Sequence, residues 1–144
     1  MTPLFYDNVG TILDRTTRLL KAQFQRAFRD AGIDITPEQW VVLDQLNKAG
    51  ASSQTDLANG TFKDAPTVSR IIDKLASKEL AVRKRFPGDR RRYQVVLTEK
   101  GETTHAHLLP RVQELRVQMW SNLTTADYDE LTRVLETIRG NFPD

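Results

Sequence analysis

The chain has 144 residues, 39% hydrophobic and 28% charged, which suits one soluble globular unit with a sizeable core. It contains no cysteine, which excludes disulfides, thiolate metal sites and thiol redox sensing. Formal charge is only +2, yet residues 63–92 hold ten basic and four acidic side chains, a net +6 that leaves −4 for the remainder. A basic middle between mildly acidic ends is the footprint of a localised polyanion contact. No apolar run approaches the roughly 20 residues of a membrane span, and the amino terminus lacks a signal-peptide pattern. A cytoplasmic location with no membrane partner is therefore expected, and the sequons at Asn59-Gly60-Thr61 and Asn122-Leu123-Thr124 are read as chance matches.

Taken in order, Val9, Ile12, Leu13, Leu19, Leu20, Phe24, Ala27 and Phe28 form one helical stripe within a helix expected from Tyr6 to Ala31, stopped by Gly32. Thr36-Pro37-Glu38-Gln39 predicts a second helix with Thr36 as cap and Gln39 closing a capping box. Trp40, Leu43 and Leu46 form its buried face, and Gly50 ends it. A short helix is expected from Ser53 to Asn59, then a turn from Gly60 to Lys63. Asp64 can cap the next helix, whose first turn tolerates Pro66. Its Val68, Ile71, Ile72 and Leu75 are spaced to point inward, leaving Thr67, Ser69, Arg70, Asp73 and Lys74 off the buried stripe.

Two strands follow, near Ala81–Phe86 and Arg92–Leu97, joined by the turn Pro87-Gly88-Asp89 and three arginines, Arg90 to Arg92. Strand alternation places Arg91 on the opposite side from its neighbours, which are read as contacting phosphate or covering apolar surface. Thr98 caps a long helix to about Asn122, kinked at Pro110, with Leu108, Val112, Leu115 and Met119 on one side. Thr124, with Asp127 three residues on, caps a last helix carrying Leu131, Val134, Leu135 and Ile138.

Helix, turn, helix and two-stranded hairpin together describe a mainly α winged helix-turn-helix with N- and C-terminal helices flanking it. A helix of about 10–12 Å diameter fits the major groove, about 12 Å wide. An arginine on the hairpin can enter the neighbouring minor groove, where narrow A·T tracts deepen the negative potential. Competing chemistries lack support. His105 and His107 lie two apart on a helix and diverge too far to chelate one metal. No nucleophile elbow, P-loop or dinucleotide fingerprint occurs, so neither an enzyme nor a cofactor is expected.

The stretch from Gln54 to Gly101 resembles the DNA-binding core of the MarR family of bacterial transcriptional regulators. Asp89, Arg91, Val95, Leu97, Thr98 and Gly101 match the family's wing motif, and Thr67 to Arg70 with Leu75 match its recognition helix. The turn from Asn59 to Pro66 departs from the family's pattern, with Phe62 where an aliphatic residue is frequent. The resemblance implies that Arg91 enters the minor groove, oriented by Asp89 through a charge-assisted hydrogen bond. It implies that Ser69 and Arg70 face the major groove with Thr67 and Lys74 nearby. The candidate DNA-binding set is thus Lys63, Thr67, Ser69, Arg70, Lys74, Asp89, Arg90 and Arg91.

It further implies a homodimer on a pseudo-palindromic double-stranded operator, acting as a repressor released by a small aromatic or lipophilic effector. Residues 1–34 and 102–144 are expected to supply the dimerisation helices and 35–101 the winged helix-turn-helix, as one intertwined domain. The competing expectation is a winged-helix protein-interaction module that does not bind DNA.

Overall fold

Every helix after the first starts where a short polar side chain satisfies one of the first free amides. The structure, a computed structural model, describes residues 8–143. Helix α1 spans Val9–Asp30, so the expected start at Tyr6 falls outside the described residues. Helix α2 spans Pro37–Ala49 with the expected capping box: the Gln39 amide donates to Thr36 Oγ1, and the Thr36 amide to Gln39 Oε1, both at 3.1 Å. Helix α3, Gln54–Thr61, is capped by Ser53 and runs two residues beyond the expected end. Helix α4 spans Ala65–Ser77, strand β1 Ala81–Phe86 and strand β2 Asp89–Leu97. Helix α5, Glu99–Met119, continues through Pro110, and α6, Thr125–Gly140, opens on a capping box of Thr124 and Asp127.

The chain forms two compact units, one up to Val112 and one from Gln113 onward. In the first, α2, α3, α4 and the hairpin close around Val42, Leu43, Leu57, Val68, Ile72, Leu75 and Val95, all 2% exposed or less. Burying each such side chain contributes roughly 1.5–3 kcal/mol, which fixes the face that α4 turns outward. Phe28 is the one buried residue of α1, while Val9, Ile12, Leu13 and Leu19 stay exposed. In the second unit α6 likewise buries none of its residues, and Tyr128, Leu131, Val134 and Ile138 are exposed.

The hairpin is antiparallel, and Ser52 adds an isolated bridge to Val95, with hydrogen bonds of 3.0 and 2.7 Å. The wing's far end is fixed by Thr98. Its amide donates to the Leu80 carbonyl, its hydroxyl donates to the Glu79 carbonyl, and the Gly101 amide donates back to that hydroxyl. Gly101 is buried so tightly that a Cβ there would fall on the Leu80 carbonyl oxygen. The Leu-Thr-x-x-Gly pattern is therefore a joint between the hairpin and α5.

Candidate nucleic-acid interface

The turn into α4 is built from main-chain constraints. Phe62 closes α3 in the left-handed conformation, φ 56°, and is highly exposed. Asp64 then accepts the Thr67 amide at 2.8 Å, a bond that holds its carboxyl below the ordinary aspartate range. Pro66 sits in the first turn, where its missing N–H costs no helical bond.

With Val68, Ile71, Ile72 and Leu75 buried, the outward face carries Arg70, Asp73 and Lys74 exposed, with Thr67 and Ser69 half-buried. Thr67, Arg70 and Lys74, spaced i, i+3, i+7, share one stripe. The Arg70 guanidinium donates to the Thr67 hydroxyl at 3.4 Å. Lys63 lies half-buried in the turn just before this stripe.

In the hairpin, Pro87 and Gly88, at φ 82°, make the turn, which a residue with a side chain would strain. The ladder runs from Ala81↔Leu97 to Arg85↔Tyr93, then slips to Phe86↔Asp89. Strand β2 thus begins three residues earlier than expected, and Arg90, Arg91 and Arg92 occupy a bulge. Period-two alternation does not apply inside a bulge, so the expected opposition of Arg91 to its neighbours loses its basis. Arg92 lies over the Phe86 ring, 5.2 Å from the centroid, a cation–π contact that fits the expectation of covering apolar surface. Arg90 and Arg91 are exposed, and among the described residues neither guanidinium has an ion-pair partner. Asp89 accepts the main-chain amide of Arg91 at 2.9 Å. Its hold on Arg91 is through the backbone, shaping the tip and leaving the guanidinium unengaged.

One polar bridge joins these two elements, and sequence reasoning missed it. Arg83, on β1, places Nη1 2.7 Å from Asp73 Oδ1 and Nη2 3.4 Å from the Ser69 carbonyl oxygen, both on α4. Ten residues separate Arg83 from Asp73 through a turn, so no local spacing rule signals the pair.

A second missed cluster lies behind the interface. His105 Nε2 is 2.8 Å from Asp44 Oδ1, both residues buried, and the ring stacks on Trp40 at 4.8 Å and 5°. Burial alone would push the Asp44 carboxyl up, but the bonds to His105 and to Lys48, 3.0 Å away, outweigh it and hold it below the ordinary value. Trp40 is thus a core residue, as expected, while His107 stays exposed. Among the described residues no group of three His, Cys, Asp or Glu could hold a metal, and no helix is long and apolar enough to cross a membrane.

A helix-turn-helix with a cationic outer stripe, followed by an arginine-tipped hairpin, is the architecture of winged-helix DNA-binding proteins. The sequence profile of the MarR family matches residues 33–92. The HTH-type transcriptional repressor NicR of Pseudomonas putida is 32% identical over 109 residues, covering 76% of this chain and 68% of the relative. A structure of BpsR from Bordetella bronchiseptica, concerned with regulation of its DNA binding by 6-hydroxynicotinic acid, is 27% identical with a TM-score of 0.81, covering 96% of this chain and 98% of that one. A mutant MarR from Escherichia coli complexed with operator DNA shares the fold, with a TM-score of 0.78 at 23% identity over 95% of this chain and 99% of that one. The chain belongs to the MarR family and is a DNA-binding transcriptional regulator.

Proposed function

We propose that the protein is a homodimeric repressor whose α4 stripe and wing tip engage successive grooves of a pseudo-palindromic operator. In this reading Thr67, Ser69 and Arg70 meet the major groove, and Lys63 and Lys74 contact adjoining phosphates. Arg90 and Arg91 approach the minor groove, on a tip whose backbone Asp89 shapes. The observation that carries it is the unengaged pair Arg90 and Arg91 on a constrained turn, held beside a helix whose inner face is locked in the core. Residues 1–34 and 102–144 supply the helices that pair two copies around the winged helix-turn-helix of 35–101. The protein works in the cytoplasm and performs no catalytic step of its own.

An effector reading accompanies it. A cleft of about 300 Å³ lies within the first unit, with Ile33, Ile35 and Leu80 as apolar walls and Asp34, Lys78, Lys100 and Thr104 at its polar side, Asp34 and Lys78 paired at 3.9 Å. With Lys100 free of any carboxylate partner among the described residues, that combination suits a small aromatic carboxylate.

The test uses the duplex that wild-type protein selects from a random pool. Arg91→Ala should weaken binding by about 1–3 kcal/mol with melting temperature and oligomeric state unchanged, read by fluorescence anisotropy and calorimetry. Titrating aromatic carboxylates into the wild-type complex should release the duplex. Unchanged affinity for Arg91→Ala sinks the minor-groove assignment, and a complex that no such acid weakens sinks the effector reading.

A further inference from the structure

A winged helix reads two grooves at once only if helix and wing keep a fixed angle, because groove spacing in B-form DNA is set by the duplex. The hairpin of this protein is anchored unevenly. At its base Val95 is 2% exposed, pairs with Arg83 across the ladder and is bridged on its other side to Ser52. Beyond that point Lys84, Arg85, Phe86, Pro87 and Gly88 are all exposed, and the register breaks between Arg85 and Phe86. Arg83 thus springs from the last firmly held position of β1.

Its guanidinium reaches back to α4 and spans one turn of it, meeting the Asp73 carboxylate at 2.7 Å and the Ser69 carbonyl at 3.4 Å. A planar fork bonded at two points fixes orientation as well as distance, which a lysine ammonium cannot do. Among the described residues no other ion pair or side-chain hydrogen bond connects the hairpin to α4. Asp73 also gains by the contact. It is exposed on the outward side of α4, next in sequence to the Lys74 of the cationic stripe, where an unpaired carboxylate would repel phosphate.

We propose that Arg83 is a positioning residue for DNA binding, setting the angle between the recognition helix and the wing through Asp73 and the Ser69 carbonyl. The proposal rests on the two-groove reading above. Arg83 acts through Arg91: with the clamp gone the wing tip samples other angles, and the minor-groove arginine no longer contributes.

The experiment is a double-mutant cycle on full-length protein with the selected duplex, measuring affinity across a salt series. Arg83→Ala should lose about tenfold in affinity, and Arg91→Ala in that background should cost almost nothing further. The Asp73→Ala, Arg83→Ala double variant should stay well below wild type, because removing the exposed acid relieves its repulsion of phosphate but does not restore the angle. The salt slope of Arg83→Ala should match that of Arg91→Ala, because the same cationic tip is lost, whereas loss of a further phosphate contact at Arg83 itself would lower it below that. An exposed ion pair contributes little to stability, so the variant should fold normally, and circular dichroism melts check this. Charge exchange, Arg83→Asp with Asp73→Arg, should recover part of the affinity. Additive losses for Arg83→Ala and Arg91→Ala, full recovery in the Asp73→Ala double variant, or a salt slope for Arg83→Ala lower than that of Arg91→Ala each overturn the proposal. Failure of Arg91→Ala alone to weaken binding overturns the two-groove reading instead, and this inference with it.

Discussion

Asp44 is a carboxylate placed where burial opposes its charge, and it stays ionised because His105 and Lys48 both bond to it. Its folded pKa lies below the unfolded value of about 3.9, so the unfolded chain takes up the proton first as pH falls. The stabilisation is therefore complete above the unfolded value and is lost as pH drops through the folded one. Glu38, lowered by its bond to Lys21, works in the same direction. Asp44→Asn should cost about 2 kcal/mol at neutral pH by weakening a buried polar bond. It should also flatten the acid limb, so that the gap between wild type and variant narrows as pH falls below the unfolded value. Urea midpoints measured from pH 7 to 3 check both points, and parallel curves would show that Asp44 does not carry the acid sensitivity.

Among the elements, the wing is the one whose conformation depends most on a single residue. Gly88 adopts φ 82° with open space around it, so an added Cβ meets no atom but strains the backbone. Gly88→Ala should cost roughly 1 kcal/mol, localised in the hairpin, and should move the bulge that carries Arg90 and Arg91. Operator affinity should fall several-fold while the melting temperature changes by only a few degrees; a large drop in melting temperature would mean that the hairpin belongs to the core instead. The wing also shows where sequence was informative. Caps at Thr36, Asp64, Thr98 and Thr124 and the stripe from Val68 to Leu75 were readable because they depend on neighbours within seven residues. The slip at Phe86, the Ser52 bridge and the Arg83 and His105 contacts join residues distant in sequence or break a local period. The basic wing tip was therefore legible as a charge cluster, but the backbone role of Asp89 and the clamp behind it were not.

At the scale of the molecule, two apolar stripes stay exposed among the described residues, Val9, Ile12, Leu13 and Leu19 on α1 and Tyr128, Leu131, Val134 and Ile138 on α6. Apolar faces of this kind mark interaction sites, and a second copy would cover them by repeating the same surfaces. Leu131→Asp should shift the protein toward monomer in sedimentation and reduce operator affinity far more than any change within α6 could by touching DNA. Dimerisation then has a consequence for salt dependence. The logarithm of the binding constant falls with the logarithm of salt concentration by about 0.9 per phosphate contact. In a twofold complex one substitution removes a contact from each copy. Lys74→Ala should therefore lower the slope by about 1.8, against about 0.9 if a single copy held the duplex. The same change should weaken binding almost equally for matched and mismatched sequences, because a phosphate contact carries no base information. A loss confined to matched duplexes would move Lys74 from the backbone to a base edge.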